Sequence, residues 1–260
     1  MDGKIKMCNR GFHACESPFD VFDYYTMIDS RFCEVEQDGN ISKWDRGTKI
    51  CSSKIKIKAE LKLADMINLG VEWLKEITSP EKIKTSIKDN SSGYGAKIGS
   101  SGNDAQIGSS GNYAKIGSSG YGAKIGSSGY GAKIGSSGDD AKIGSSGNYA
   151  QIGSSGDDAK IGSSGNYAKI GSSGNYAQIG SSGDGAKIDS TGEGCVIMCA
   201  GINSVAKASK GSWITLSEWS YSDKKQRYIP VCVKTEFVDG EKIKADTYYK
   251  LAGGVFKEIQ

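Results

Sequence analysis

From Gly93 onward one nine-residue unit, Gly-x-x-Ala-Lys/Gln-Ile-Gly-Ser-Ser, dominates the chain. It recurs without insertion at Gly93, Gly102, Gly111, Gly120, Gly129, Gly138, Gly147, Gly156, Gly165, Gly174 and Gly183, and looser copies follow at Gly192 and Gly201. A short fixed period is the signature of a fold built by stacking repeats, each packing only on its neighbours. The fourth position is Ala and the sixth is Ile in all eleven copies, as in Ala96/Ile98, Ala114/Ile116 and Ala168/Ile170. A flexible Gly/Ser linker has no reason to hold that register. Alternating apolar positions around an outward Lys or Gln predict a short strand with one buried face. The flanking glycines are expected to supply corner conformations that β-branched residues resist.

One nonamer is too short to close a coil, so two are assigned to each coil of about 18 residues. The predicted architecture is mainly β: a two-sided parallel β-solenoid with two sheets back to back. Eleven units then make five and a half coils, about 26 Å of stack at the usual strand spacing. The core between the sheets is Ala, Ile and inward Ser. Burial per residue is small, so stability must come from continuous backbone ladders, and the ends need covers against unpaired edges.

Counting copies from Gly93, odd and even copies fall on opposite faces. Odd copies carry Tyr94, Tyr113, Tyr130, Tyr149 and Tyr167, with Lys97, Lys115, Lys133, Gln151, Lys169 and Lys187. Even copies carry Asp104, Asp139, Asp140, Asp157 and Asp158, with Lys124, Lys142 and Lys160, and only Tyr121 and Tyr176 as aromatics. A three-unit coil would scatter these residues. Tyr beside Lys at regular spacing suits a protein interface, where Tyr is enriched, or stacking on bases with phosphate contacts. The same rings and stems also serve simply to cover a sheet. The candidate partner-binding residues are Tyr94, Tyr113, Tyr130, Tyr149 and Tyr167 with Lys97, Lys115, Lys133 and Lys169.

The flanks read as ordinary sequence, giving three segments: 1–90, 91–219 and 220–260. In the first, Ser17-Pro18 opens a short helix bearing Phe19, Val21, Phe22 and Tyr25. Residues 31–37 and 50–57 alternate like strands, and residues 61–77 carry Leu63, Met66, Ile67, Val71 and Leu74 at helical spacing. This α+β unit is expected to cap the rod, its second helix over the open first coil. In the last segment, residues 228–238 and 242–251 are strand-like and meet at Asp239-Gly240, a preferred hairpin turn. That hairpin is expected to close the other end.

Catalysis finds little to work with. His13 is the only histidine, and there is no metalloprotease pair, nucleophile elbow or phosphate loop. Cys8, His13 and Cys15 offer three zinc ligands, with Cys33 or Cys51 as a distant fourth. Calcium rolls need an apolar residue two after the Asp, whereas here the apolar residues fall one and three after Asp104, Asp140 and Asp158. An ice-binding array is equally foreign to an outer face of Lys, Tyr and Asp. Cys195 stands at a buried Ala position and Cys199 at an inward Ser position, where small buried residues fill a core. No cofactor, no metal and no enzymatic activity are expected.

The hydrophobic share is 37% and glycine alone accounts for 37 positions, too little apolar side chain for a large round core. A net charge of +3 points to neither nucleic acid nor membrane. Seven cysteines in no secreted-scaffold spacing, no apolar signal core after Met1, and no stretch of about 18 apolar residues suggest free thiols in the cytoplasm.

The run Asn9-Arg-Gly-Phe-His-Ala-Cys-Glu-Ser-Pro-Phe-Asp-Val-Phe-Asp-Tyr-Tyr25, followed by Arg31-Phe-Cys-Glu-Val-Glu36, resembles an uncharacterised domain of phage and prophage proteins that carries such Gly/Ser-rich repeats. The segment Lys54-Ile-Lys-Ile-Lys58 and the tail from Val238 to Lys250 are similar to the same proteins. The resemblance implies a non-enzymatic phage protein in the host cytoplasm that binds a host or phage complex. A counter-defence inhibitor of a nuclease or immune complex, anti-CRISPR-like, comes first, and a virion or assembly component second. The residues themselves leave nucleic acid and a homo-oligomer open as partners and point to no membrane. Gly11-Phe-His-Ala-Cys15 with Tyr24-Tyr25 and the strand from Phe32 to Val35 also resembles ADP-ribosyltransferase-like domains, which implies a catalytically empty remnant or, as a third reading of the chain, an enzyme with the N-terminal unit as catalyst.

Overall fold

Every Lys/Gln-Ile-Gly-Ser tetrapeptide of the repeat is one strand, and successive tetrapeptides go alternately to two parallel sheets. The computed structural model describes residues 5–7, 9–44, 47–78 and 93–259. The odd sheet stacks Lys97, Lys115, Lys133, Gln151, Lys169 and Lys187 in register, 18 residues apart, and ends on Val205–Ala208. The even sheet stacks Gln106, Lys124, Lys142, Lys160 and Gln178 likewise, and continues through Val196–Cys199 to Trp213–Ser222. Each sheet holds seven such strands, so the solenoid has seven coils: five and a half from the eleven strict copies and the rest from the three strands that follow. The looser copies at Gly192 and Gly201 keep the alternation of small and apolar residues, and so they still coil.

The core is a double column of Ala and Ile. Ala114, Ala132, Ala150, Ile116, Ile134 and Ile152 are fully shielded or nearly so. Backbone ladders run the length of the rod, as in Lys133 N–H to Ala114 O at 2.8 Å and Gln151 N–H to Ala132 O at 2.9 Å. The inward Ser hydroxyls of Ser118, Ser136, Ser154 and Ser172 are buried and make no hydrogen bond. Their column continues as Ala208, and the opposite one as Cys199 and Leu216, so the site needs a small shape and not a hydroxyl. Ser154→Ala is therefore expected to stabilise the rod by about 1 kcal/mol, since a buried donor without a partner costs about that much. A thermal melt with an unchanged or lower midpoint would contradict it.

The glycines do not act where the sequence suggested. The left-handed corner is the third position, held by Gly95, Asp104, Tyr113, Gly122, Gly131, Asp140, Tyr149, Asp158, Tyr167, Tyr176, Gly185, Gly194 and Asn203, all with φ between 53° and 67°. The first-position glycines have no positive φ. They serve close approach instead: a Cβ on Gly147 would lie 1.9 Å from Gly129 O in the coil below. The seventh-position glycines lie on the strands and face outward.

Both far edges are closed by antiparallel strands. Arg227–Phe237 pairs with Trp213–Ser222, and Tyr248–Ala252 pairs with Val255–Ile259 and meets the odd sheet at Ala206↔Tyr249. The expected C-terminal hairpin is present as Tyr248–Ala252 with Val255–Ile259, but it turns at Gly253-Gly254 and not at Asp239-Gly240. Asp239 Oδ1 accepts the Glu241 and Ile243 N–H groups at 2.8 and 3.0 Å, which curls that segment into a loop and starts the next strand only at Tyr248.

The N-terminal unit is a three-stranded antiparallel sheet in the order β1 (Phe12–Cys15), β3 (Lys49–Leu61), β2 (Phe32–Lys43), with a 3-10 helix at Pro18–Asp23 and helix α1 at Leu63–Ile77. Asp65 accepts the Lys62 N–H at 2.8 Å and starts α1. The expected cover over the first coil is corrected by the structure. α1 lies lengthwise across the outer surface of the odd sheet, touching the strands at Lys97, Lys115, Lys133 and Gln151. Its buried ridge reaches the outward glycines: Leu63 stands over Gly171, Ile67 over Gly153, Val71 and Leu74 over Gly117, with Phe19 over Gly135. Bare glycine backbone lets a helix come that near a sheet. Among the described residues no strand pairs the outer edges of Lys97–Ser100 or Gln106–Ser109, and no helix is long and apolar enough to cross a membrane.

Candidate partner-binding surface

The second and third positions of each copy form the corner that leads into a strand. At the second position, Asn or Asp acts as a staple between coils. Its Oδ1 accepts the backbone N–H of the residue 18 further on, as from Asn112 to Tyr130 at 2.9 Å, Asn148 to Asn166 at 2.9 Å and Asp157 to Asn175 at 2.7 Å. Asp139 and Asp184 do the same for Asp157 and Ile202. These acids therefore satisfy backbone donors that would otherwise be lost at the bends. This role was missed in the sequence; the signal was that Asn, within the eleven copies, stands only at the second position.

The odd corners carry the tyrosine column as expected. Ring centroids are 5.3 Å apart for Tyr94–Tyr113, 5.6 Å for Tyr113–Tyr130, 5.2 Å for Tyr130–Tyr149 and 5.0 Å for Tyr149–Tyr167. All five rings are exposed, between 40% for Tyr113 and 80% for Tyr94. Tyr94 and Tyr130 come from the second position, and Tyr113, Tyr149 and Tyr167 from the third. The column is continuous although its members sit on different backbone atoms. The three third-position rings hold φ of 57°, 59° and 59°, a geometry that disfavours a bulky L-residue by roughly 1–2 kcal/mol. Tyr121 is separate, on the even side, where a hydrogen bond to Asp140 and that carboxylate's charge hold its pKa above the ordinary tyrosine value.

The lysines fare differently. Lys97 lies over the Trp73 ring at 5.3 Å, Lys115 binds Asp20 at 2.5 Å, and Lys133 binds Asp23. Beyond the candidate set, Lys187 binds Asp29 at 2.6 Å, and Gln151 donates to Phe22 O at 3.2 Å. Lys169 is half-buried. Within the expected lysine row, Lys115 and Lys133 seat the chain's own N-terminal unit, Lys133 being only 3% exposed, whereas Lys97 stays exposed. Burial opposes the charge on Asp20, but bonds from Lys115 and Thr48 outweigh it and hold its pKa below the ordinary 3.8. Burial pushes the Lys133 ammonium below its ordinary 10.5, with Asp23 pulling the other way. The partners Asp20, Asp23 and Asp29 were visible in the sequence as an acidic run, but nothing there said what they faced.

Cys15, Cys33, Cys51, Cys195, Cys199 and Cys232 are free thiols. Burial pushes the Cys199 thiol up to about 12 and, with help from Asp20, Cys15 up to about 11, so both stay protonated. Cys8 lies outside the described residues. Among the described residues no three His, Cys, Asp or Glu side chains gather as a metal set. His13 stands opposite Cys51 between β1 and β3, and Tyr24 carries Lys49 over its ring at 4.0 Å.

No curated protein and no solved structure matches this chain. Over residues 1–69, which hold β1–β3 and the first half of α1, the chain is similar to a domain of unknown function, DUF7666.

Proposed function

We propose that the chain is a non-enzymatic binding rod that presents its tyrosine column to a macromolecular partner. One observation carries this reading. Five exposed rings, each 5.0–5.6 Å from the next, are kept in line even where the backbone conformation disfavours Tyr and where Gly occupies equivalent corners. Exposed Tyr offers large contact area at low entropy loss, the usual makings of an interface hot spot. A protein fits better than a nucleic acid, because the lysines that would meet phosphates are engaged by Asp20, Asp23 and Trp73. The narrower form, an early phage protein that occludes a host nuclease or immune complex, rests on the resemblance of residues 9–36. A virion or assembly part is the other form of the same reading.

The test is a pull-down from host cells with the full chain and with Tyr113, Tyr149 and Tyr167 all changed to Asn. Asp104, Asp140, Asp158 and Asn203 hold the same corner geometry, so the variant is expected to fold. Loss of three hot-spot rings is expected to weaken binding by about a hundredfold or more. A partner held equally by the variant would refute the role of the column. Binding that collapses steeply with salt would identify a nucleic acid instead.

A further inference from the structure

The two sheets carry the same outward pattern, and only one of them is covered. On the odd sheet the outward glycines Gly99, Gly117, Gly135, Gly153 and Gly171 lie under α1 and Phe19, and carboxylates of Asp20, Asp23 and Asp29 sit on the flanking lysines. On the even sheet Gly108, Gly126, Gly144, Gly162 and Gly180 meet nothing within 4 Å of a built Cβ. Beside them Lys124, Lys142 and Lys160 are exposed, and no ion pair involves them among the described residues. Gln106, Gly108, Lys124, Gly126 and Lys142 line a shallow trough there.

Nothing in the rod itself explains these even glycines. They have no positive φ and no close neighbour. Gly in a strand is unfavourable relative to almost any side chain, and β-branched residues would suit the position better. Repeat duplication does not account for them either. In the same copies the second position has drifted among Asn, Asp and Tyr, the third among Asp, Gly and Tyr, and the fifth between Lys and Gln. The seventh has stayed Gly through five even copies. On both faces the glycine row then stops at the same level: Gly171 is followed by Asp189, and Gly180 by Met198. On the odd face that stop marks the end of the helix footprint. Five strands span about 19 Å, and a four-turn helix such as α1 about 22 Å.

We propose that the even face, Gly108 to Gly180 with Lys124, Lys142 and Lys160, docks a helix of a partner protein that bears an aliphatic ridge flanked by carboxylates. The odd face supplies the template for that chemistry. There, Leu63, Ile67, Val71 and Leu74 of α1 run along the glycines while Asp20, Asp23 and Asp29, from the segment that precedes it in the chain, meet the lysines. The free lysines complement the acids of such a helix. Two even faces set against each other would oppose lysine rows, which speaks against a second copy of this chain. The proposal goes beyond the tyrosine column and stands on a different surface.

The probe is a stapled 15-residue helix with Leu at positions spaced as in α1 and Glu on both flanks, labelled with fluorescein. It is titrated with the full chain, with Gly126, Gly144 and Gly162 all changed to Val, and with Lys124, Lys142 and Lys160 all changed to Glu. Circular dichroism and a thermal melt check that both variants fold. Saturable binding weakened about tenfold or more by each variant is expected, and unaffected by the Tyr113/Tyr149/Tyr167→Asn change. No saturable binding at about millimolar chain, the weakest affinity worth scoring, would overturn the proposal. So would binding indifferent to the Val variant, since the probe would then be held elsewhere. Tighter binding of duplex DNA at the same lysines, or a dimer in sedimentation velocity that the Val variant dissolves, would assign the face to another occupant.

Discussion

Gly147→Ala is expected to destabilise the rod by about 3 kcal/mol, while Gly144→Ala, three residues away, stabilises it by up to about 1 kcal/mol. The added atom on Gly147 would sit 1.9 Å from Gly129 O and 2.6 Å from its carbonyl carbon. Both are backbone atoms of the coil below, so no side chain can swing away. The coils can separate only by stretching ladders such as Gln151 N–H to Ala132 O, now 2.9 Å. Gly144 faces solvent with nothing within 4 Å. In a chain of this size the first change corresponds to a fall in Tm of about 10 °C. Equal melting temperatures for the two variants would show that the first-position glycine is not held by close approach.

The second large effect concerns the seat of the N-terminal unit. Lys115→Met leaves the Asp20 carboxylate, 10% exposed, without its cation. Stranding one member of a buried pair costs about 3–5 kcal/mol, and here that loss falls on docking of residues 9–78 rather than on the coils. Lys133→Met is expected to cost under about 1 kcal/mol, because Asp23 is 45% exposed and water can replace the lysine. Burial already disfavours the charged form of Lys133, so removing it relieves as well as breaks. Hydrogen exchange of the α1 amides reads the difference, and equal protection in the two variants would contradict it. The pH dependence follows from Asp20. Its carboxyl titrates lower in the folded chain than in the unfolded one, so its contribution is complete above 3.8 and is lost as pH falls through the still lower folded value. Asp20→Asn is expected to flatten that acid loss of α1 protection. An unchanged acid profile would place the pH sensitivity elsewhere.

The period of the repeat carried most of the rod. Nine residues, with Ala and Ile two apart, dictate a short strand. Tyr in alternate copies reported which copies share a sheet, because residues 18 apart are neighbours in the ladder. The tyrosine column was legible for the same reason, as was the helix at Leu63–Ile77, whose ridge repeats at helical spacing. The last coils were legible only as looser copies within the segment 91–219, since Val205 and Trp213 keep the burial alternation but not the residue types. Asp239-Gly240 misled because a local turn preference lost to the Asp239 side chain bonding its own loop.

By itself, then, the amino-acid order determined what repeats locally: strand, corner, inward column and the side of the rod on which each copy emerges. Only the tertiary structure decided that the lysines of one side are seats for Asp20, Asp23 and Asp29, and that α1 lies along a face and not over an end. Periodicity fixes where a side chain points relative to its own strand. What meets it from 95 residues away, as Asp20 meets Lys115, depends on how two separately folded surfaces fit, and no local pattern encodes that.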